Sequence, residues 1–176
     1  MTVTPEGPNQ EPPIQPGQTS PTTTPTGPTP VTDPLVREAI TLRGEARTKA
    51  EAIQEAGRML LGTGAVGEGF VEAMFEREKS VSTYMGNSLA VPHGTREAKQ
   101  FVEKTAMSFA RYDEPIDWNG NPVRFVIAIA GRNKEHLILL GRIARVFSKG
   151  DALQALEAAT TADEVLDVLA GLNTAQ

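Results

Sequence analysis

The chain has 176 residues, a formal charge of −5 and no cysteine, so it can bury one real core and holds neither a disulfide framework nor thiolate metal ligands. No apolar run reaches the length of a membrane span, and the N-terminus lacks the charged and apolar regions of a signal peptide, so a cytoplasmic protein is expected. Its acidic balance and the absence of a Lys/Arg cluster argue against a nucleic-acid footprint.

Residues 1–34 carry ten of the thirteen prolines and nine threonines. With almost no large apolar side chains, this segment cannot offset its ordering entropy and reads as a disordered Pro/Thr-rich tail. The globular unit is expected over 35–174. A short run from Val36 to Leu42 reads as a first strand, and Thr48-Lys49-Ala50-Glu51 matches a capping box. The helix that follows carries Ala52, Ile53, Ala56, Met59 and Leu60 at helical spacing and stops at Gly62 and Gly64. A second helix is expected over 68–79, with Phe70, Val71, Met74 and Phe75 on one face. Its charged last turn, Glu76-Arg77-Glu78-Lys79, has the composition of a solvated face.

Leu89-Ala90-Val91 reads as the end of a buried strand that stops at Pro92, which cannot donate to a ladder. His93 is thereby delivered to a strand end. Gly94 lets the backbone approach a group on that imidazole, and Thr95-Arg96-Glu97-Ala98-Lys99 looks like a helix opening with a Thr cap, whose free amides suit an anion. On these residues alone, a hydrogen-bonded turn histidine is an equal reading.

Thr105–Ala110 can form a strand with Ala106, Ser108 and Ala110 on one side and Met107 and Phe109 on the other. Asp117-Trp118-Asn119-Gly120-Asn121 reads as a turn. Val123–Ala130 is the clearest buried strand and is expected at the centre of the sheet. Gly131-Arg132-Asn133 then leads into a helix from Lys134 to Ser148, with Leu137, Leu140, Ile143, Ala144 and Phe147 as its apolar face and His136 in its first turn. Two helices, Asp151–Ala159 and Ala162–Ala170, close the chain. Strands alternating with helices give an α/β fold: a single-domain sandwich with a mostly buried mixed sheet flanked by helices on both faces.

The only two histidines of the chain, His93 and His136, both fall just beyond a strand end and near a helix start, where ligands bind in open α/β sheets. Arg77-Glu78-Lys79, Thr83-Tyr84-Met85-Gly86, Ala90-Val91-Pro92-His93-Gly94-Thr95 and Asn133-Lys134-Glu135-His136-Leu137 occur in the order and spacing of one family. From about residue 36 to the C-terminus, the chain resembles the mannitol-type enzyme IIA of the bacterial sugar phosphotransferase system.

That resemblance implies that His93 accepts a phosphoryl group from the phosphocarrier protein HPr. It implies transfer onward to a cysteine of the IIB unit of a mannitol-specific IIB/IIC component, and so phosphorylation-coupled mannitol uptake. It makes His136 the second active-site histidine and Arg77 an active-site positive charge. A fructose-type IIA, or a regulatory IIA-like protein whose phosphorylation state is read by partners, is the alternative within the fold.

Phosphoryl transfer needs an in-line nucleophile and fixed positive or N–H groups around the equatorial oxygens, which an imidazole, a second imidazole and a guanidinium can supply. No Gly-rich phosphate loop is present, so ATP is an improbable donor. Neither a cofactor nor a metal is expected, since no carboxylate pair stands at ligand spacing near the histidines. Without the resemblance, Arg77 reads as a solvated helix-end cation and His136 as a capping or packing residue.

Overall fold

A computed structural model of the chain describes residues 33–170. The Pro/Thr-rich segment lies outside the described residues up to position 32; Pro34 is buried, and its carbonyl accepts a 2.7 Å hydrogen bond from the Met107 amide. Five strands form one sheet: β1 (Leu35–Thr41), β2 (Tyr84–Gly86), β3 (Leu89–Ala90), β4 (Ala106–Trp118) and β5 (Asn121–Ala130), in the order β1-β4-β5-β3-β2. The sheet is mixed, because β1 runs parallel to β4 and β3 parallel to β5, whereas β4–β5 and β2–β3 are antiparallel.

The β-branched run of β5 occupies the central position, as its composition predicts. β4 is longer than expected and continues through residues 111–118. Its second half hides its strand character because Asp113, Glu114 and Pro115 are exposed at a register irregularity between Arg111 and Ile116, while Ile116 and Trp118 point inward. A proline and consecutive charges are tolerated at such a bulge. The turn contracts to Asn119-Gly120, with φ of 55° and 92°, and the Asp117 side chain accepts a 2.8 Å bond from the Gly120 amide. Two successive positive φ values suit a tight hairpin whose twist matches its strands.

Alternation along the strands divides the core. Ala106, Ala110, Val126 and Ala128 face α1 (Lys49–Gly62) and α2 (Gly69–Ser80), whereas Met107, Phe109, Phe125, Ile127 and Ile129 face α3 (Glu135–Phe147), α4 (Gly150–Ala158) and α5 (Ala162–Leu169). The α/β sandwich with helices on both faces is therefore the observed architecture. Thr48 and Glu51 form the expected reciprocal cap of α1.

Two helical faces differ from expectation. In α3 the buried stripe is Leu139, Ile143 and Phe147, at a four-residue repeat; Leu137 is 57% exposed and Ala144 is exposed. The expected Ile143 and Phe147 lie in that stripe, with the Phe147 ring edge-on to Phe125 at 5.8 Å, and Leu140 packs at its border; Leu139 takes the place expected of Leu137. In α2 the buried stripe Phe70–Met74 continues to Glu78, which is buried rather than solvated.

Arg111 ties the last helices to the sheet. Its guanidinium donates to the carbonyls of Leu42 at 3.2 Å, Leu156 at 2.8 Å, Glu157 at 3.1 Å and Ala159 at 2.7 Å. The carbonyls at the end of α4 have no helical partner, so this one cation satisfies several orphan acceptors. Replacing Arg111 by Met is expected to lower the unfolding free energy by roughly 1–3 kcal/mol, read from urea denaturation. An unchanged midpoint would mean that water serves those carbonyls equally well.

Candidate active site

Parallel pairing of β3 with β5 brings the C-terminal ends of both strands to the same edge of the sheet. Beyond β3, Pro92 keeps the ladder going through its carbonyl alone, which accepts from the Ile129 amide at 3.0 Å, and His93 then bridges Ile129 in parallel register. His93 is half-buried, with its Nδ1 2.8 Å from the Val91 carbonyl oxygen. A carbonyl can only accept, so Nδ1 carries the proton and the neutral ring offers the lone pair of Nε2. Burial holds the His93 pKa below its usual 6.5, and the positive charge of Arg77 and the His136 ring push the same way. The Val91 hydrogen bond and the Glu78 carboxylate oppose them. The unprotonated, nucleophilic ring therefore persists to pH values below 6.5.

The backbone after His93 packs tightly, since a Cβ on Gly94 would meet the Cβ of Ala98 at 2.7 Å and the Phe70 ring at 2.9 Å. Thr95 does not cap a helix with its side chain. The segment that follows, Arg96–Phe101, is a 3₁₀ helix, and its first turn closes through a 3.1 Å bond from the Ala98 amide to the Thr95 carbonyl. That i+3 closure does without the hydroxyl that an α-helical opening would use.

His136 reaches the same edge from the other strand. A Cβ on Gly131, just past β5, would lie 2.4 Å from the His136 nitrogen and 2.6 Å from its Cβ, so only glycine lets the strand end meet the start of α3. The intervening turn is tied down: the Thr105 hydroxyl accepts from the Arg132 amide at 3.1 Å and donates to the Glu135 carboxylate. Arg77, in the last turn of α2, is half-buried and donates through Nη1 to the Val81 carbonyl at 2.7 Å.

All three residues singled out from sequence line one cavity of about 560 Å³, and they also line an adjoining one of about 410 Å³ that includes Tyr84 and Met85. Arg96, Lys99 and Lys134 complete the larger cavity, and among the described residues no carboxylate lines it. On a chain of net charge −5, that local excess of cations makes an anion-attracting hollow around two imidazoles. Among the described residues, no group of three or more His, Asp or Glu side chains is placed to hold a metal ion. Nor is any helix there long and apolar enough to cross a membrane.

Residue patterns alone did not single out Glu78. Its carboxylate is buried under the site, accepting from the Trp118 indole at 3.0 Å, from the Thr83 amide at 3.0 Å and from the Thr83 hydroxyl, with Lys49 at 3.8 Å. The four-residue step from Met74 is the one signal that could have found it.

A protein 47% identical over 139 residues, covering 79% of this chain and 96% of its own length, is the mannitol-specific phosphotransferase enzyme IIA component of Halalkalibacterium halodurans. The crystal structure of IIA mannitol from Escherichia coli superposes with a TM-score of 0.70 at 41% identity, covering 75% of this chain and 96% of that one. A complex of the E. coli enzyme IIAMTL with phosphorylated enzyme IIBMTL matches with a TM-score of 0.71 at 41% identity, over 76% of this chain and 95% of the matched one. The model of the phosphoenolpyruvate-dependent sugar phosphotransferase system EIIA 2 family matches residues 34–171, and the chain belongs to that family.

Proposed function

We propose that this chain is a phosphoryl carrier in mannitol uptake. His93 Nε2 takes the phosphoryl group from phosphorylated HPr and yields it to a cysteine of a mannitol-specific IIB/IIC component, in the cytoplasm. The carrier unit is residues 35–174, preceded by the Pro/Thr-rich tail. The observation that carries this reading is the fixed tautomer of His93: Nδ1 is held by the Val91 carbonyl in a cavity lined by Arg77 and His136. The mannitol assignment follows the names of relatives at 41–47% identity, and the IIB partner follows the complex formed by the E. coli relative.

In the transfer, the Nε2 lone pair attacks phosphorus as the bond from phosphorus to the donor breaks. Nδ1 keeps its proton on Val91, so no proton has to leave the ring. Charge accumulates on the phosphoryl oxygens, where the Arg77 guanidinium and the His136 ring supply donors already in place. Passing the group to the IIB thiolate reverses these steps at His93.

The test is a relay from phosphorylated HPr through this protein to purified mannitol-type IIB. Acid-labile phosphate is expected on His93 Nε2, and absence of label, or label on His136, would overturn the assignment. His136→Ala should fold and still accept phosphate on His93 but pass it on markedly more slowly, by about ten- to a hundredfold. His136→Gln, which keeps a donor of similar reach, should recover part of that loss. Unchanged transfer in His136→Ala would leave His136 as a packing residue.

A further inference from the structure

The reactive imidazole is only as well oriented as the Val91 carbonyl that holds it, and that carbonyl is itself held. The Val91 amide donates to the Thr83 carbonyl at 3.0 Å, and both the amide and the hydroxyl of Thr83 donate to one oxygen of Glu78. The other oxygen of Glu78 is anchored by the Trp118 indole at 3.0 Å and faces Lys49 at 3.8 Å. A series of hydrogen bonds, joined through the backbones of Thr83 and Val91, thus runs from the buried end of β4, through a buried carboxylate on α2, to Nδ1 of His93. Solvation does not explain the carboxylate, because Glu78 is 6% exposed and continues an apolar stripe. An uncharged side chain there would spare the cost of burying a charge.

We propose that Glu78 is a positioning residue for His93: acting through Thr83 and Val91, its carboxylate fixes which imidazole nitrogen faces the cavity. This rests on the reading of His93 as the nucleophile. A carboxylate suits the place because its two oxygens accept from both sides at once, whereas an amide must present an NH2 to one of two donor groups. The same negative charge favours the protonated ring of His93, against Arg77 from α2, His136 from α3 and the cavity cations Arg96, Lys99 and Lys134.

The experiment uses the full chain with ring-15N-labelled histidine, in which His136 is the one other imidazole and serves as internal reference. Glu78→Gln is expected to reduce the Nδ1–H tautomer of His93 and to move its titration midpoint down, since both the charge and the ordered Val91 bond that favour protonation are weakened. The His136 signals should stay in place. Transfer from phosphorylated HPr should fall by about ten- to a hundredfold.

General loosening has the opposite signature, because burial is the main cause of the depressed midpoint and its loss moves the midpoint up towards 6.5. A rising midpoint, or wild-type tautomer and midpoint, would overturn the proposal. Should Glu78→Gln fail to fold, Thr83→Val decides: it keeps the charge and removes the hydroxyl, and is expected to lower the Nδ1–H population, with wild-type values overturning the proposal. The tautomer and midpoint need no phosphoryl donor, so they report on Glu78 even if phosphate were found elsewhere than on His93.

Discussion

Substituting His93 by alanine is expected to reduce phosphoryl acceptance to background, a loss of about 10⁴-fold or more, because no other nucleophile in the cavity has a ring nitrogen fixed in the same way. The fold should survive. Only the hydrogen bond to Val91 and a half-buried ring are lost, at a cost of about 1 kcal/mol. Label from phosphorylated HPr retained at the wild-type level would sink the assignment. The same variant has a second signature. His93 binds a proton less readily in the folded state than its ordinary 6.5 allows, so the unfolded chain takes up more protons below that pH. Wild-type stability must therefore fall as pH drops from 6.5 through the folded value, and His93→Ala should lose that part of the dependence in urea melts on either side of 6.5.

Arg77→Ala should slow transfer in both directions by about one to three orders of magnitude, since a guanidinium at the cavity wall stabilises charge that develops during the reaction. Both directions share one transition state, so the two rates must fall together. Arg77→Lys should recover little, because a point charge lacks the planar fork that can hold the Val81 carbonyl and a phosphoryl oxygen at once. The cost to folding is confined to the Val81 contact, at about 1 kcal/mol. Wild-type rates in Arg77→Ala would make Arg77 simply the clasp at the end of α2.

The parts of the fold that could be read from sequence are those with strong local signals. β5 announces itself by β-branched residues, α1 by Thr48 and Glu51, and the hairpin by Asn119-Gly120. The second half of β4 was hidden because Asp113, Glu114 and Pro115 are surface residues of a bulge, a tertiary circumstance that overrides propensity. The face of α3 is legible at Ile143 and Phe147, but two overlapping apolar sets run through its sequence, and only tertiary contacts choose between Leu139 and Leu137. Thr95 has the composition of a cap, but a 3₁₀ turn closed by backbone alone has no use for it. In the site, strand-end placement located His93 and His136. Nothing local says that the last turn of α2 swings Arg77 towards them and Glu78 beneath them. The family likeness supplied Arg77, and only the three-dimensional arrangement reveals Glu78.

The outermost strands carry a further consequence. β1 presents Val36, Arg37 and Glu38 to solvent, has a register irregularity between Leu35 and Ile40, and is crossed by the contact of Arg37 with Asp163 of α5. β2, at the opposite margin, has three residues and is followed by a turn through Asn87 and Ser88, whose φ values are 50° and 61°. Charge, irregular pairing and brevity are the means by which sheets avoid being extended by another chain. Among the described residues, both margins carry features of this kind, which work against a foreign strand adding itself. A phosphocarrier has to release its partner after each transfer, and a backbone zipper would hold on too long. What borders the cavity instead is side chains, among them the exposed Met85 and Leu137.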